Sequence, residues 1–258
     1  GAMEPYATVA QVWTGGLIFA RIGSMVMVLP GWGETYVSPR IRLVLALLLS
    51  LVMWPLVEGR LPPLPESLAT MVGWIIRELL TGIAIGLIIR FFMTAVATAG
   101  EVISMQTTLG FAQSANPTSS QPSSTLGSFL SLLAVTLIFA TNTHHWFVAG
   151  LLGSYEAISP MKSLIVGDFA AVAVKTVGQS FLLGVQLSAP VMVFALIFNL
   201  ASGLVARVMP SFQVYFAAAP LSVLLGLSIF ALSLGVMGTI FVDRIASVAR
   251  ALSGGQLG

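Results

Sequence analysis

Long apolar runs separated by short polar turns organise this chain. The first covers residues 9–29 and ends at Pro30-Gly31-Trp32-Gly33, a turn signal. The second, 41–57, follows Pro39 and Arg40, and a loop holding Pro62, Pro63 and Pro65 separates it from the third. That third run extends over about 71–112 and carries Arg77, Glu78, Arg90 and Glu101. Three more follow, at about 125–152, 172–208 and 212–242. A helix that crosses a bilayer needs about 20 mostly apolar residues. The pattern therefore predicts an all-α, polytopic membrane protein, with about six long apolar helices arranged in hairpins. Pro190 and Pro220 fall inside the last two runs, where a missing N–H and a ring clash kink a helix. Several runs exceed what a bilayer requires, so they tilt, break or continue beyond it inside a protein assembly.

Composition agrees. Apolar residues make up 57% of the 258 positions and charged residues only 8%, with a mean hydropathy of +0.99. A soluble domain clothes its surface with roughly a quarter charged residues, so lipid or other apolar protein is the expected surrounding. The net charge of +2 is scattered, and no run of Lys or Arg forms a nucleic-acid footprint. Lys and Arg also fall almost evenly on the two sides of a six-span chain, so the positive-inside rule sets no orientation. The absence of Cys removes disulfides, thiolate metal sites and cysteine nucleophiles. No charged n-region precedes the first apolar run, so no cleavable signal peptide is expected there, and Gly1-Ala2-Met3 reads as a tag remnant.

Small residues recur four apart at Gly82 and Gly86, Gly150 and Ser154, Gly184 and Ser188, Ser222 and Gly226, and Ala231 and Gly235. That spacing lets helix backbones approach closely, within the chain or against other subunits. Charges inside the third run must pair or face water, because a lone one at mid-bilayer costs about 2.5–3.5 kcal/mol. Arg90 and Glu101, about three turns apart, share a face, and Arg77 lies nearly opposite it. Residues 113–124 are polar yet uncharged, and Pro117 and Pro122 prevent a helix there. Such a segment suits a surface loop, or a loop folded into a pore with Phe111 at its entrance. The adjacent His144 and His145 make a poor metal pair. No zincin, phosphate-loop or serine-elbow motif is present, so catalysis has no support.

Arg77-Glu78-Leu79-Leu80-x-Gly82-x-x-x-Gly86, Ala99-Gly100-Glu101, Gln106, Gly110-Phe111-Ala112 and Asn116-Pro117 resemble the FliR/SctT family of type III export-gate proteins. The likeness continues through Asn142-x-His144, Ser154-Tyr155, Pro160, Arg207-x-x-Pro210, Val214-Tyr215-Phe216 and Pro220. Ser211, Gln213 and Thr143 depart from residues frequent in the family. The resemblance implies a non-enzymatic, cofactor-free, channel-forming subunit in a hetero-oligomeric gate of the bacterial inner membrane, at the flagellar basal body. Its implied partners are FliP-type, FliQ-type and FlhB-type subunits and unfolded exported flagellar proteins. Residues 1–165 would be FliP-like, with a plug loop at about 110–124, and 166–258 a FliQ-like helical hairpin. Phe111, Gln113, Asn116 and Pro117 would belong to the plug. Arg77, Glu78, Arg90, Glu101, Gln106, Asn142, His144, Arg207 and Pro210 would make polar helix or subunit contacts. The alternatives are an injectisome gate subunit, or a secondary transporter that uses Arg90 and Glu101 as a coupling pair.

Overall fold

The computed structural model describes residues 8–107, 125–161, 166–210 and 213–253. Among them there are α-helices and one short 3₁₀ turn, and no strand. Helix α1 (Val9–Val28) starts at a capping box, in which Thr8 and Gln11 each bond the other's backbone N–H. Helix α2 (Pro39–Val57) has Ser38 as N-cap and proline at its first position, where the missing N–H costs nothing. It ends in a 3₁₀ turn (Glu58–Arg60). Helix α3 (Leu68–Gln106) runs unbroken for 39 residues, about 58 Å at 1.5 Å per residue.

The expected fourth span is two helices. Helices α4 (Thr125–Ala140) and α5 (Thr143–Ala157) meet at a 76° bend. The break falls at Asn142, which has a left-handed backbone (φ 57°) that asparagine tolerates better than most residues. Helices α6 (Val166–Val208, 43 residues) and α7 (Val214–Ser253, 40 residues) follow, with Pro190 and Pro220 inside them. Among the described residues five helices are long and apolar enough to cross a membrane, or six if the bent pair forms one span.

Chain contacts divide the protein into two compact units. The first comprises Gly1–Phe91, Ile138–Thr176 and Ile245–Gly258, and the second Phe92–Leu137 and Val177–Arg244. In the first, α1 packs on α2 and on the N-terminal half of α3. A side chain at Gly82 would collide with Ser24 and the Arg21 carbonyl, and one at Gly86 with Val28. Successive positions on the two helices thus meet in the same order, so α1 and α3 run parallel. Leu17, Ile18, Ile22 and Met25 of α1 and Ile85 and Ile89 of α3 are buried. In the second unit Gly100 of α3 lies against the backbone of Leu126 and Gly127 in α4. Buried there are Phe92, Val96, Ala99 and Ile103 with Leu130, Ala134, Leu187, Met237 and Phe241.

Candidate functional site

The polar chemistry of the first unit converges on one fully buried ion pair. Arg21, midway along α1, and Glu78 on α3 have no exposed side-chain surface. The pair is bidentate: Nε donates to Oε2 at 2.6 Å, and Nη2 to Oε1 at 2.9 Å. This fork geometry is the strongest form of the interaction and one that lysine cannot reproduce. The third guanidinium nitrogen is also engaged. Nη1 donates to the carbonyls of Ser154 and Ile158, at 3.0 and 3.1 Å. Those carbonyls lie at the C-terminal end of α5, where a helix presents partial negative charge; that of Ser154 also accepts from the Ile158 N–H. The ring of Tyr155 lies under the guanidinium, 4.2 Å from centroid to Cζ.

A second arginine works on the same turn. Arg77, one residue before Glu78, donates to the Ser159 carbonyl at 3.0 Å and lies over the Trp74 ring. Two guanidiniums from two helices therefore hold three carbonyls, those of Ser154, Ile158 and Ser159, at the end of α5. A buried charge survives only when paired and hydrogen-bonded throughout, and this network meets that condition at Arg21.

Arg90 forms a second, wetter station. It donates to the Val28 carbonyl at the end of α1 (3.1 Å) and pairs with Glu34 in the α1–α2 connection at 3.3 Å. Its side chain is 34% exposed and that of Glu34 17%, so this pair is partly screened. Glu101 stands about 16 Å further along α3, eleven residues at 1.5 Å each, and is half-buried. Gln106, the last residue of α3, is half-buried as well.

At the α4–α5 bend Asn142 occupies the N-cap position of α5 without a side-chain cap bond. His144 is half-buried and stacks between Phe139 and His145, with centroid distances of 5.1 and 4.3 Å. Gly31 accommodates this corner: its φ is +90°, and a side chain there would strike Phe139. Arg207 and Pro210 are exposed, at and just beyond the end of α6. Phe111, Gln113, Asn116 and Pro117 lie outside the described residues.

Arg21 and Glu34 were not singled out from the sequence, and Arg21 is the hub. The available signal was its position, a lone basic residue at the middle of an apolar run, which calls for a buried partner by default.

The sequence model for the bacterial export proteins, family 1, matches residues 12–248, from α1 into α7. The chain is 51% identical over 242 residues to the flagellar biosynthetic protein FliR of Caulobacter vibrioides, covering 94% of this chain and 96% of that protein. It is 32% identical to the FliR of Aquifex aeolicus, over 84% of each chain. It is 28% identical to the FliR of Bacillus subtilis, over 88% of this chain and 86% of that one. With a match of this length, and half its residues shared with one FliR along nearly the whole of both chains, this protein belongs to the FliR family of bacterial export proteins.

Proposed function

We propose that this chain is a structural, channel-forming subunit of the flagellar type III export gate, through which unfolded flagellar proteins leave the cytoplasm. The observation that carries this reading is the 51% identity to a flagellar biosynthetic FliR over nearly the full length of both proteins. Membership of an export family gives the class of role, and the long apolar helices give its setting, a membrane. The finer picture is a hetero-oligomer in the inner membrane with FliP-type, FliQ-type and FlhB-type subunits. In it, residues 1–165 act as a FliP-like part and 166–258 as a FliQ-like hairpin. Phe111, Gln113, Asn116 and Pro117 belong to a loop that plugs the pore. Glu101, Gln106, Arg207 and Pro210 contribute polar contacts to neighbouring subunits. The chain itself does no chemistry, and substrate movement is driven by other components.

Three features support this assignment. The long helices α3, α6 and α7 exceed a bilayer's hydrocarbon thickness of about 30 Å, as helices embedded in a protein assembly do. Large apolar side chains such as Phe181, Leu204, Phe216 and Leu232 are mostly exposed in the chain alone, which suits lipid or subunit contact. The segment 113–124 carries hydrogen-bonding side chains without charge, which suits a wetted plug.

The test is electrical. Removing residues 113–123 from the chain within an assembled gate should raise its small-ion conductance in planar bilayers while leaving assembly intact. Conductance equal to that of the unaltered gate would contradict the plug role.

A further inference from the structure

Two helices of the first unit have the length of a single bilayer crossing, α1 with 20 residues and α2 with 19. Helix α1 is buried along most of its length, whereas α2 buries only one narrow stripe: Ala46, Ser50, Met53 and Val57. The exposed large side chains of α2 run round the helix from Leu43 through Leu47, Leu51, Leu48 and Val52 to Leu56. At 3.6 residues per turn they span an arc of about 220°.

The side chains on that arc restrict what covers it. Membrane helices that pack on one another present small residues, which let the backbones approach. The small residues of α2 are Ala46 and Ser50, and both lie on the buried stripe. Ser50 also closes its hydroxyl on the Ala46 carbonyl. The exposed arc carries Leu and Val side chains instead, with Pro55 near its end. It is also about twice as wide as the roughly 100° stripe that a helix turns toward a protein core. One neighbouring helix would leave much of it bare, but acyl chains cover a broad apolar surface of any relief.

The ends of the arc fit the edges of a bilayer. Arg40 and Glu58 are both exposed and lie eighteen residues apart. That is five turns, so they stand on the same side of the helix, about 27 Å from each other. The hydrocarbon core of a bilayer is about 30 Å thick. The one charged residue between them, Arg42, is half-buried and turns back to the Val37 carbonyl, to which Nε and Nη2 both donate. At the far end the Trp54 indole N–H donates to the Glu58 carboxylate at 2.8 Å, the placement of an aromatic ring and a polar group typical of a membrane–water boundary. At the near end the guanidinium of Arg40 suits a phosphate, which it can meet with paired, charge-assisted hydrogen bonds.

We propose that α2 is the helix on which this chain meets the lipid bilayer: acyl chains cover the exposed arc, and lipid phosphates lie at the level of Arg40. The inference rests on the membrane setting within the proposed function, and not on which other subunits are present. It puts one edge of the hydrocarbon at Arg40 and the other at Glu58.

The chain has no cysteine, so a single introduced one can carry a nitroxide label. The variants are Arg40→Cys, Leu48→Cys, Leu51→Cys and Gly59→Cys, all at exposed positions, and the recovered amount of complex should match that of the unlabelled chain. Each is assembled with partner subunits freed of cysteine and reconstituted into vesicles of phosphatidylcholine and phosphatidylglycerol. Electron paramagnetic resonance then measures collisions of the label with oxygen, which concentrates among acyl chains, and with a water-soluble nickel chelate. The ratio of oxygen to nickel collisions should be several times higher at positions 48 and 51 than at 40 and 59. Labels at 48 and 51 that are immobilised and shielded from both reagents would show that another subunit covers the arc. Labels there that are open to the chelate would show that it faces water. Either result, or a ratio that does not vary along the helix, overturns the inference. If the heteromer is recovered and the arc is shielded, the inference fails and the export-gate reading stands. If no heteromer forms but the chain alone in vesicles gives the expected profile, the inference stands and the export-gate reading fails.

Discussion

The two units handle polar groups in opposite ways. The first holds all the chain's charged residues except Glu101, Arg207, Asp243 and Arg244. At its centre every guanidinium nitrogen of one arginine is engaged: Arg21 meets Glu78, two carbonyls at the end of α5, and the face of Tyr155. The second unit has few charges, and hydroxyls such as those of Ser131, Ser188 and Ser228 bond back to the carbonyl four residues earlier in their own helix. In water such a difference would have little consequence. In an apolar surrounding, where nothing else can hydrogen-bond, it separates a region tied together by polar contacts between helices from one whose hydroxyls bond back to their own helix.

The largest effect should come from breaking the charge-rich region. Replacing Arg21 or Glu78 by Ala strands its partner as an unpaired buried charge, which costs about 3–5 kcal/mol. The expected outcome is loss of folded chain from membranes, measured as abundance and resistance to proteolysis. Exchanging the two charges, Arg21→Glu with Glu78→Arg, should fail to restore it. A carboxylate at position 21 cannot donate to the Ser154 and Ile158 carbonyls, and it would repel the Tyr155 ring face. Full rescue by the exchange would show that the ion pair alone matters and that holding the end of α5 does not.

Next in size is the α1–α3 contact. Gly82→Ala sets a methyl group against the Arg21 carbonyl, a backbone atom that cannot rotate away. Overpacking of this kind costs about 1–3 kcal/mol, seen as a lower melting temperature in detergent. An unchanged melting temperature would mean that the two helices separate freely there. Arg90→Gln should cost less, at most about 1 kcal/mol, because its pair with Glu34 is partly exposed. Salt should narrow the difference between variant and parent. Smallest of all is Asn199→Leu in the isolated chain, where stability should change by less than about 0.5 kcal/mol. Its melting temperature in detergent should match that of the parent, because the side chain is exposed, and a clear drop would show that Asn199 is held within the folded chain.

Much of the fold was legible in the sequence because the signal was local. Apolar runs bounded by Pro and Gly give α1, α2, α3, α6 and α7, with most ends displaced by a few residues and the C-terminal end of α7 by eleven. Helix α3 begins at Leu68, soon after Pro65, and α7 continues to Ser253. The bend between α4 and α5 was not legible. Its apolar run contains no proline, and its only marker is Asn142 in a left-handed conformation. The site was half visible. Arg77, Glu78 and Arg90 stand out as charges in an apolar helix, but their partners lie far away in sequence. Arg21 is 57 residues from Glu78 and 133 from Ser154, and periodicity along one helix carries no information about which other helix faces it.

The most direct test of the export-gate assignment is native mass spectrometry of the detergent-purified complex, after co-expression with FliP-type and FliQ-type subunits. The expected result is one stable heteromer containing a single copy of this chain. Recovery of the chain alone, as a well-behaved monomer or homodimer with no affinity for those subunits, would contradict it.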